Sequence, residues 1–172
     1  MTTHGIVSTE GRIALFTLPC LEIRPINTDP KAPTHVLLAE DDEDDVLIFR
    51  LAVDKLPIAI MLTHAQDGEQ LFELLETILP DIIFLDIYMP CKNGRECIQD
   101  IRANRKYDSI PVIMYTSSSE RNVVDETFRA GANLFVVKPN NIRELTEKLQ
   151  HILAINWKEY MVFPPRKKFL VA

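Results

Sequence analysis

From Thr34 onward the chain alternates between short apolar runs and longer amphipathic stretches. His35-Val36-Leu37-Leu38-Ala39 has few polar positions, the pattern of a strand covered on both faces. Residues 44 to 56 carry Val46, Phe49, Val53 and Leu56 at helical spacing, and Pro57 ends that helix. Residues 58 to 63 predict a second strand. Asp67-Gly68 turns into a helix over 69–79, with Leu71, Phe72, Leu75 and Ile78 inward. Residues 82 to 86 predict a third strand, and Asn93-Gly94 precedes a helix over 95–104. Residues 110–115 predict a fourth strand and 119–130 a helix, with Gly131 as its C-terminal cap. Residues 133–137 predict a fifth strand. Asn141 opens a last helix through Ile142, Leu145, Leu149 and Ile152. Five successive strand–helix units predict an α/β fold, a parallel sheet with helices on both faces.

The flanks break this rhythm. Residues 1–33 are rich in Thr and Pro and carry no amphipathic helix. Short β segments at 13–18 and 21–23, around Pro19-Cys20, suit this stretch as well as a flexible leader does. Pro25, Pro30 and Pro33 make a linker. The organisation is therefore a leader over 1–33, a domain over 34–154 and an extension over 155–172. The extension is first apolar and aromatic (Trp157, Tyr160, Met161, Val162, Phe163), then basic (Arg166, Lys167, Lys168).

Composition narrows the class. With 172 residues, 47% hydrophobic and 26% charged, the chain can bury a core without disulfide staples. No apolar run approaches the ~20 residues of a membrane helix, and the N-terminus lacks a signal-peptide pattern. The three cysteines, Cys20, Cys91 and Cys97, form no CxxC and read as reduced thiols of a cytoplasmic protein. The net charge of −6 combines a balanced leader and a basic tail with a middle acidic enough to outweigh that tail. An acidic core argues against nucleic-acid binding and suits the gathering of divalent cations.

The chemistry sits where the apolar runs stop. The first strand ends in Glu40-Asp41, the third in Asp86, the fourth in Thr116-Ser117 and the fifth in Lys138-Pro139. In an open parallel sheet, ligands bind beyond the carboxyl ends of the strands. Each residue has an ordinary alternative. Acids 40–45 suit a helix N-terminus, Asp86 a turn, Thr116 and Ser117 a cap, and Lys138 the surface. Four strand ends carrying polar groups directly after apolar runs make the joint reading far stronger than any one element. Crowded carboxylates call for a cation, and Mg2+ is a hard ion that takes oxygen ligands. An Asp carboxylate is a competent nucleophile toward phosphorus. Phosphoryl transfer needs mainly positioning and charge neutralisation, which a metal, Lys138 and the Thr116 hydroxyl can supply.

Residues 35 to 153 resemble the receiver domain of two-component response regulators. The resemblance rests on Glu40-Asp41, Asp86 with Met89-Pro90 and Gly94, Thr116-Ser117, Ala130-Gly131-Ala132 and Lys138-Pro139. It implies a flavodoxin-like, doubly wound five-stranded sheet in the order 2-1-3-4-5. It implies that Asp86 is the phosphoacceptor. Mg2+ would be held by Asp41, by Glu40 mainly through water, by Asp86 and by the Tyr88 backbone carbonyl. Lys138 and Thr116 would contact the phosphoryl group. Thr116 and Phe135 would form the switch, Phe135 lacking the hydroxyl of the family's Tyr variants. Tyr88 and Ser118 flank the site, and a bulky Tyr88 implies slow self-dephosphorylation. The partners implied are a histidine kinase or histidine phosphotransfer protein and a downstream protein target. The kinase would contact the first helix and the loops beside the site, and the output face would be the fourth and fifth helices with the fifth strand. The only reactions expected are the protein's own phosphorylation and dephosphorylation.

The extension is similar to that of stand-alone regulators partnering bacterial phytochromes, which implies a homodimer formed through it. A tail folding back on its own domain is the equal alternative. Three other functions compete. A haloacid-dehalogenase-like phosphatase needs a second Asp just after the nucleophile, where Ile87 and Tyr88 stand. A nucleotide-binding flavodoxin-like domain needs a Gly-rich loop after the first strand, where an acidic run stands. A phosphorylation-independent receiver-like scaffold keeps the fold without using the site.

Overall fold

A computed structural model of the chain describes residues 8–9, 12–13, 32–157 and 169–171. The apolar run at Thr34–Ala39 forms β1, an inner strand of the sheet. It pairs in parallel with β2 (Ile60–Ala65) and with β3 (Ile82–Leu85). Next come β4 (Val112–Thr116) and β5 (Leu134–Val137), again parallel. The five strands therefore run in the order 2-1-3-4-5, the flavodoxin-like arrangement the resemblance implies.

Because successive side chains point to opposite faces, each strand feeds two cores. Leu37, Ala39, Ile83, Leu85, Met114 and Phe135 face one layer of helices, α2 (Gly68–Thr77), α3 (Gly94–Ala103) and α4 (Arg121–Arg129). Val36, Leu38, Phe84, Ile113, Tyr115 and Val136 face the other, α1 (Glu43–Val53) and α5 (Ile142–Leu153). Phe49, Phe84 and Tyr115 pack edge-to-face in that second layer, the geometry favoured by ring quadrupoles.

Side-chain caps set most helix starts. Asp42, Asp67, Asn93 and Asn141 accept backbone N–H bonds at the beginnings of α1, α2, α3 and α5. Asn93 and Glu96 complete a capping box. In contrast, α4 begins at Glu120 with no side-chain cap. It ends firmly: Gly131 takes a φ of 97°, its N–H reaches Phe128 O, and Ala132 N–H reaches Thr127 O. That is the Schellman closure, and the left-handed residue is the glycine foreseen there.

The structure departs from the sequence reading in two places. First, α1 stops at Val53 and β2 starts at Ile60, each shifted from expectation. The register decides β2, since Thr34 pairs with Ile60 and its N–H bonds Ala59 O. Second, the sheet has a sixth strand, β6 (Leu170–Val171), lying parallel on the outer edge of β5. Two residues carry no periodicity, so the pattern could not announce it. The preceding Phe169 is fully buried against Phe128 and Phe135, with ring centroids 5.1 and 6.2 Å away. In the leader, Ser8–Thr9 pairs antiparallel with Arg12–Ile13. The other segments expected to be short strands, 14–18 and 21–23, lie outside the described residues.

Candidate functional site

The parallel register brings the strand ends into one pocket. Ala39 pairs with Leu85, so the following Glu40 and Asp86 emerge side by side. Asp86 N–H bonds Ala39 O at 2.9 Å, tying the two strand ends together. Thr116 pairs with Val137, and Lys138 N–H bonds Thr116 O at 2.8 Å. The loop after Asp86 turns back beneath it. Asp86 Oδ1 accepts the Ile87 N–H at 2.6 Å, and Gly94 N–H bonds Ile87 O at 3.0 Å. A Cβ on Gly94 would sit 2.0 Å from Asp86 O, so any side chain there would displace the acceptor strand's end.

Carboxylates crowd the pocket. Glu40 and Asp86 are buried, Asp41 is exposed at the rim, and one carboxylate oxygen from each lies within 4.8 Å of the others. Lys138 Nζ lies 2.6 Å from Glu40 Oε2, 2.7 Å from Asp45 Oδ2 and 3.3 Å from Asp86 Oδ2. The contacts to Asp45 and Asp86 are directed hydrogen bonds. The contact to Glu40 Oε2 is as close, but less well aligned, and pairs the ammonium with that buried oxygen.

Burial raises the Glu40 pKa from 4.5 to about 7. Lys138 pulls it down, while Asp86 and Asp45 push it further up. Burial alone would lower the Lys138 pKa, but bonds to Asp45 and Glu40 and the charge of Asp86 raise it above its ordinary value. The lysine is therefore a fixed cation. Three converging carboxylates that repel one another, two of them buried, fit a hard divalent cation.

The other expected residues are placed as follows. Thr116 is buried at the end of β4, and its hydroxyl accepts the Ser118 N–H at 3.5 Å. The Tyr88 side chain is 54% exposed beside the pocket. Phe135 is buried in the α4 layer; its strand neighbour is Met114 and its ring partner is Phe169. Asp45 was missed as a site residue. It reads as an ordinary helix-start acid, and only the fold turns the first turn of α1 toward Lys138. Cys97 has no part in the site: it is buried, and burial pushes its thiol up to about 12, leaving it inert.

Known proteins share this fold. Residues 36–150 match the model of the response regulator receiver domain, and the chain belongs to that family. It is similar to response regulator Rcp1 of Synechocystis sp., at 26% identity over 81% of this chain and 99% of that protein. The crystal structure of the Mn2+-bound form of Rcp1 superimposes with a TM-score of 0.64 at 26% identity, covering 77% of this chain and all of that one. The bacteriophytochrome response regulator RtBRR matches with a TM-score of 0.62 at 27% identity, over 76% of this chain and 89% of that one. Similarity also extends to the autoinducer 2 sensor kinase/phosphatase LuxQ of Vibrio vulnificus. There identity is 31% over 73% of this chain, which spans only 14% of that protein's length. Receiver domains take phosphoryl groups from histidine kinases on an aspartate, with a divalent metal, and act as switches rather than as classical enzymes. The acidic cluster here fits such a metal. Among the described residues, no helix is long and apolar enough to cross a membrane.

Proposed function

We propose that this chain is a phosphorylation-dependent switch in which Asp86 is the phosphoacceptor and Mg2+ the working cation. The observation that carries the reading is Asp86 itself. Its carboxylate is buried at a strand end, 3.3 Å from Lys138 and grouped with Glu40 and Asp41. A carboxylate oxygen of Asp86 attacks phosphorus; the bond from phosphorus to the donor's imidazole nitrogen breaks, and the imidazole keeps that electron pair. Lys138 faces the developing charge on the phosphoryl oxygens. Asp41, Asp86, the Tyr88 carbonyl and, mainly through water, Glu40 would hold the cation, which would supply the remaining neutralisation.

The donor is a histidine kinase or histidine phosphotransfer protein, docking on α1 and the loops beside the site. Signalling is by protein contact. Thr116 and Phe135 form the switch, and the output face is that of α4, β5 and α5. The start of α4 supports that choice, since a helix end without a side-chain cap opens at smaller cost than a capped one. Residues 1–33, 34–154 and 155–172 act as leader, receiver and extension of a cytoplasmic protein. The extension also serves a homodimer.

The test is incubation with acetyl phosphate and Mg2+, read by intact mass. The reading expects one phosphoryl group gained, lost with EDTA and lost in Asp86→Asn. No gain by the wild type with either acetyl phosphate or a panel of phosphorylated histidine donors would leave a scaffold.

A further inference from the structure

One ammonium serves three carboxylates in this pocket, and they are not equivalent. Glu40 and Asp86 arise from strand ends and are 1% and 8% exposed as side chains. Asp45 arises from the first turn of α1 and is 33% exposed. Its backbone N–H is pinned by the Asp42 cap at 3.3 Å, which sets the direction from which it approaches the pocket. Asp45 lies outside the set of carboxylates whose oxygens converge within 4.8 Å, whereas Glu40 and Asp86 belong to it. Yet Lys138 Nζ lies as close to it, 2.7 Å, as to Glu40, 2.6 Å, and closer than to Asp86, 3.3 Å. The other neighbour of Nζ is the Tyr115 ring, 5.5 Å away, which offers no full charge.

We infer that Asp45 is a positioning residue that holds Lys138 at the rim of the pocket, so that lysine and a divalent cation can occupy it together. The inference rests on the receiver reading of the site. An ammonium and a divalent cation repel each other, and both are drawn to Glu40 and Asp86. Asp45 gives the ammonium a carboxylate that the cation does not need. When the cation takes Glu40 and Asp86, Lys138 keeps a charged partner and stays within reach of Asp86 rather than swinging into solvent. Without Asp45, the lysine's remaining carboxylates are the two buried members of the cation set, and the two cations compete. Asp45 touches neither the reacting atoms nor the metal ligands; it acts through the lysine.

The experiment is Mg2+ titration of the full chain by calorimetry, with circular dichroism to confirm the fold of each variant. Asp45→Asn removes the charge but keeps the helix start, and Asp45→Ser serves as a second variant. Both are expected to weaken Mg2+ binding about five-fold, the worth of a partly exposed charge pair. Asp45→Glu is expected to restore affinity to within about two-fold. The deciding arm is the Lys138→Met background. There Asp45→Asn is expected to change affinity by less than about two-fold, because the residue it acts through is gone. The inference is overturned if Asp45→Asn matches the wild type, or if its loss is equally large in the Lys138→Met background, which would make it a simple field effect. Absence of Mg2+ binding by the wild type would instead break the receiver reading beneath it, and the inference with it.

Discussion

Two cations lie in this fold at opposite ends of the strands, and their surroundings are opposite in kind. Lys138, at the carboxyl ends of the strands, faces three carboxylates on two strand ends and a helix. Arg102, at the amino ends of the strands, hydrogen-bonds only neutral oxygens, with the Asp108 charge nearby. It donates to the carbonyls of Gly131, Tyr107 and Ile110 and to Asn133 Oδ1, at 2.7–3.2 Å. Asn133 Oδ1 in turn accepts the Val112 N–H at 2.8 Å, so the clasp joins α3 to the starts of β4 and β5. Burial lowers the Arg102 pKa, with Asp108 opposing it, while the carboxylates raise that of Lys138. The Arg102 arrangement satisfies its polar groups and leaves nothing for a ligand. The Lys138 arrangement holds an excess of negative charge, three carboxylates around one ammonium. Stability is concentrated at one end, and reactivity at the other, where like charges are held together by the surrounding fold.

The contrast breaks first at Arg102. Replacing it by alanine removes four hydrogen bonds and should cost about 4 kcal/mol in urea unfolding, although Tyr107 O keeps the Ile110 N–H and Asn133 Oδ1 the Val112 N–H. Phosphoryl uptake by the protein that remains folded should be unchanged. A loss below about 1 kcal/mol would show that water replaces the guanidinium freely.

Next comes pH, with a chelator present. The folded pKa of Glu40 is raised from 4.5 to about 7. Its contribution to stability is therefore fully present below about 4.5 and is lost as pH rises through about 7. The wild type should lose about 3 kcal/mol relative to Glu40→Gln across that window, an order-of-magnitude figure. Parallel stability curves for the two proteins would mean that Lys138 fully offsets the burial of Glu40.

A smaller effect has the unusual sign. Asp86→Asn removes one of the crowded charges and should raise the unfolding free energy by about 1 kcal/mol at neutral pH without metal. It should also abolish phosphorylation. A destabilised Asp86→Asn would mean that the acceptor is held by attraction to Lys138 rather than against repulsion. Smallest is Tyr88, two residues after Asp86 and half exposed. Tyr88→Ala should shorten the lifetime of the phosphorylated form about three-fold by admitting water, with stability nearly unchanged. An unaltered decay rate of the phosphoprotein mass would remove the shielding role.

Much of this was legible before any coordinates. The five strand–helix units follow from apolar runs and 3.6-residue stripes, because strands covered on both faces and half-buried helices leave local signatures. Glu40, Asp41, Asp86, Thr116 and Lys138 stood out for the same reason, since each directly follows an apolar strand. Gly131 was foreseen because only its backbone freedom matches the end of α4. Whatever the chain writes into a window of ten residues, the sequence alone determined.

Only the tertiary structure decided the rest. Asp45 reaches Lys138 across 93 positions, a distance no local pattern carries. The Arg102 clasp joins residues that in sequence read as a helix-surface arginine and an ordinary turn asparagine. Phe169 and β6 close the β5 edge through a two-residue pairing too short to have a period. In each case the partner is chosen by how the elements pack and not by its neighbours in the chain. The near-neutral pKa of Glu40 is of the same kind, since it depends on how far the fold withdraws that carboxylate from water.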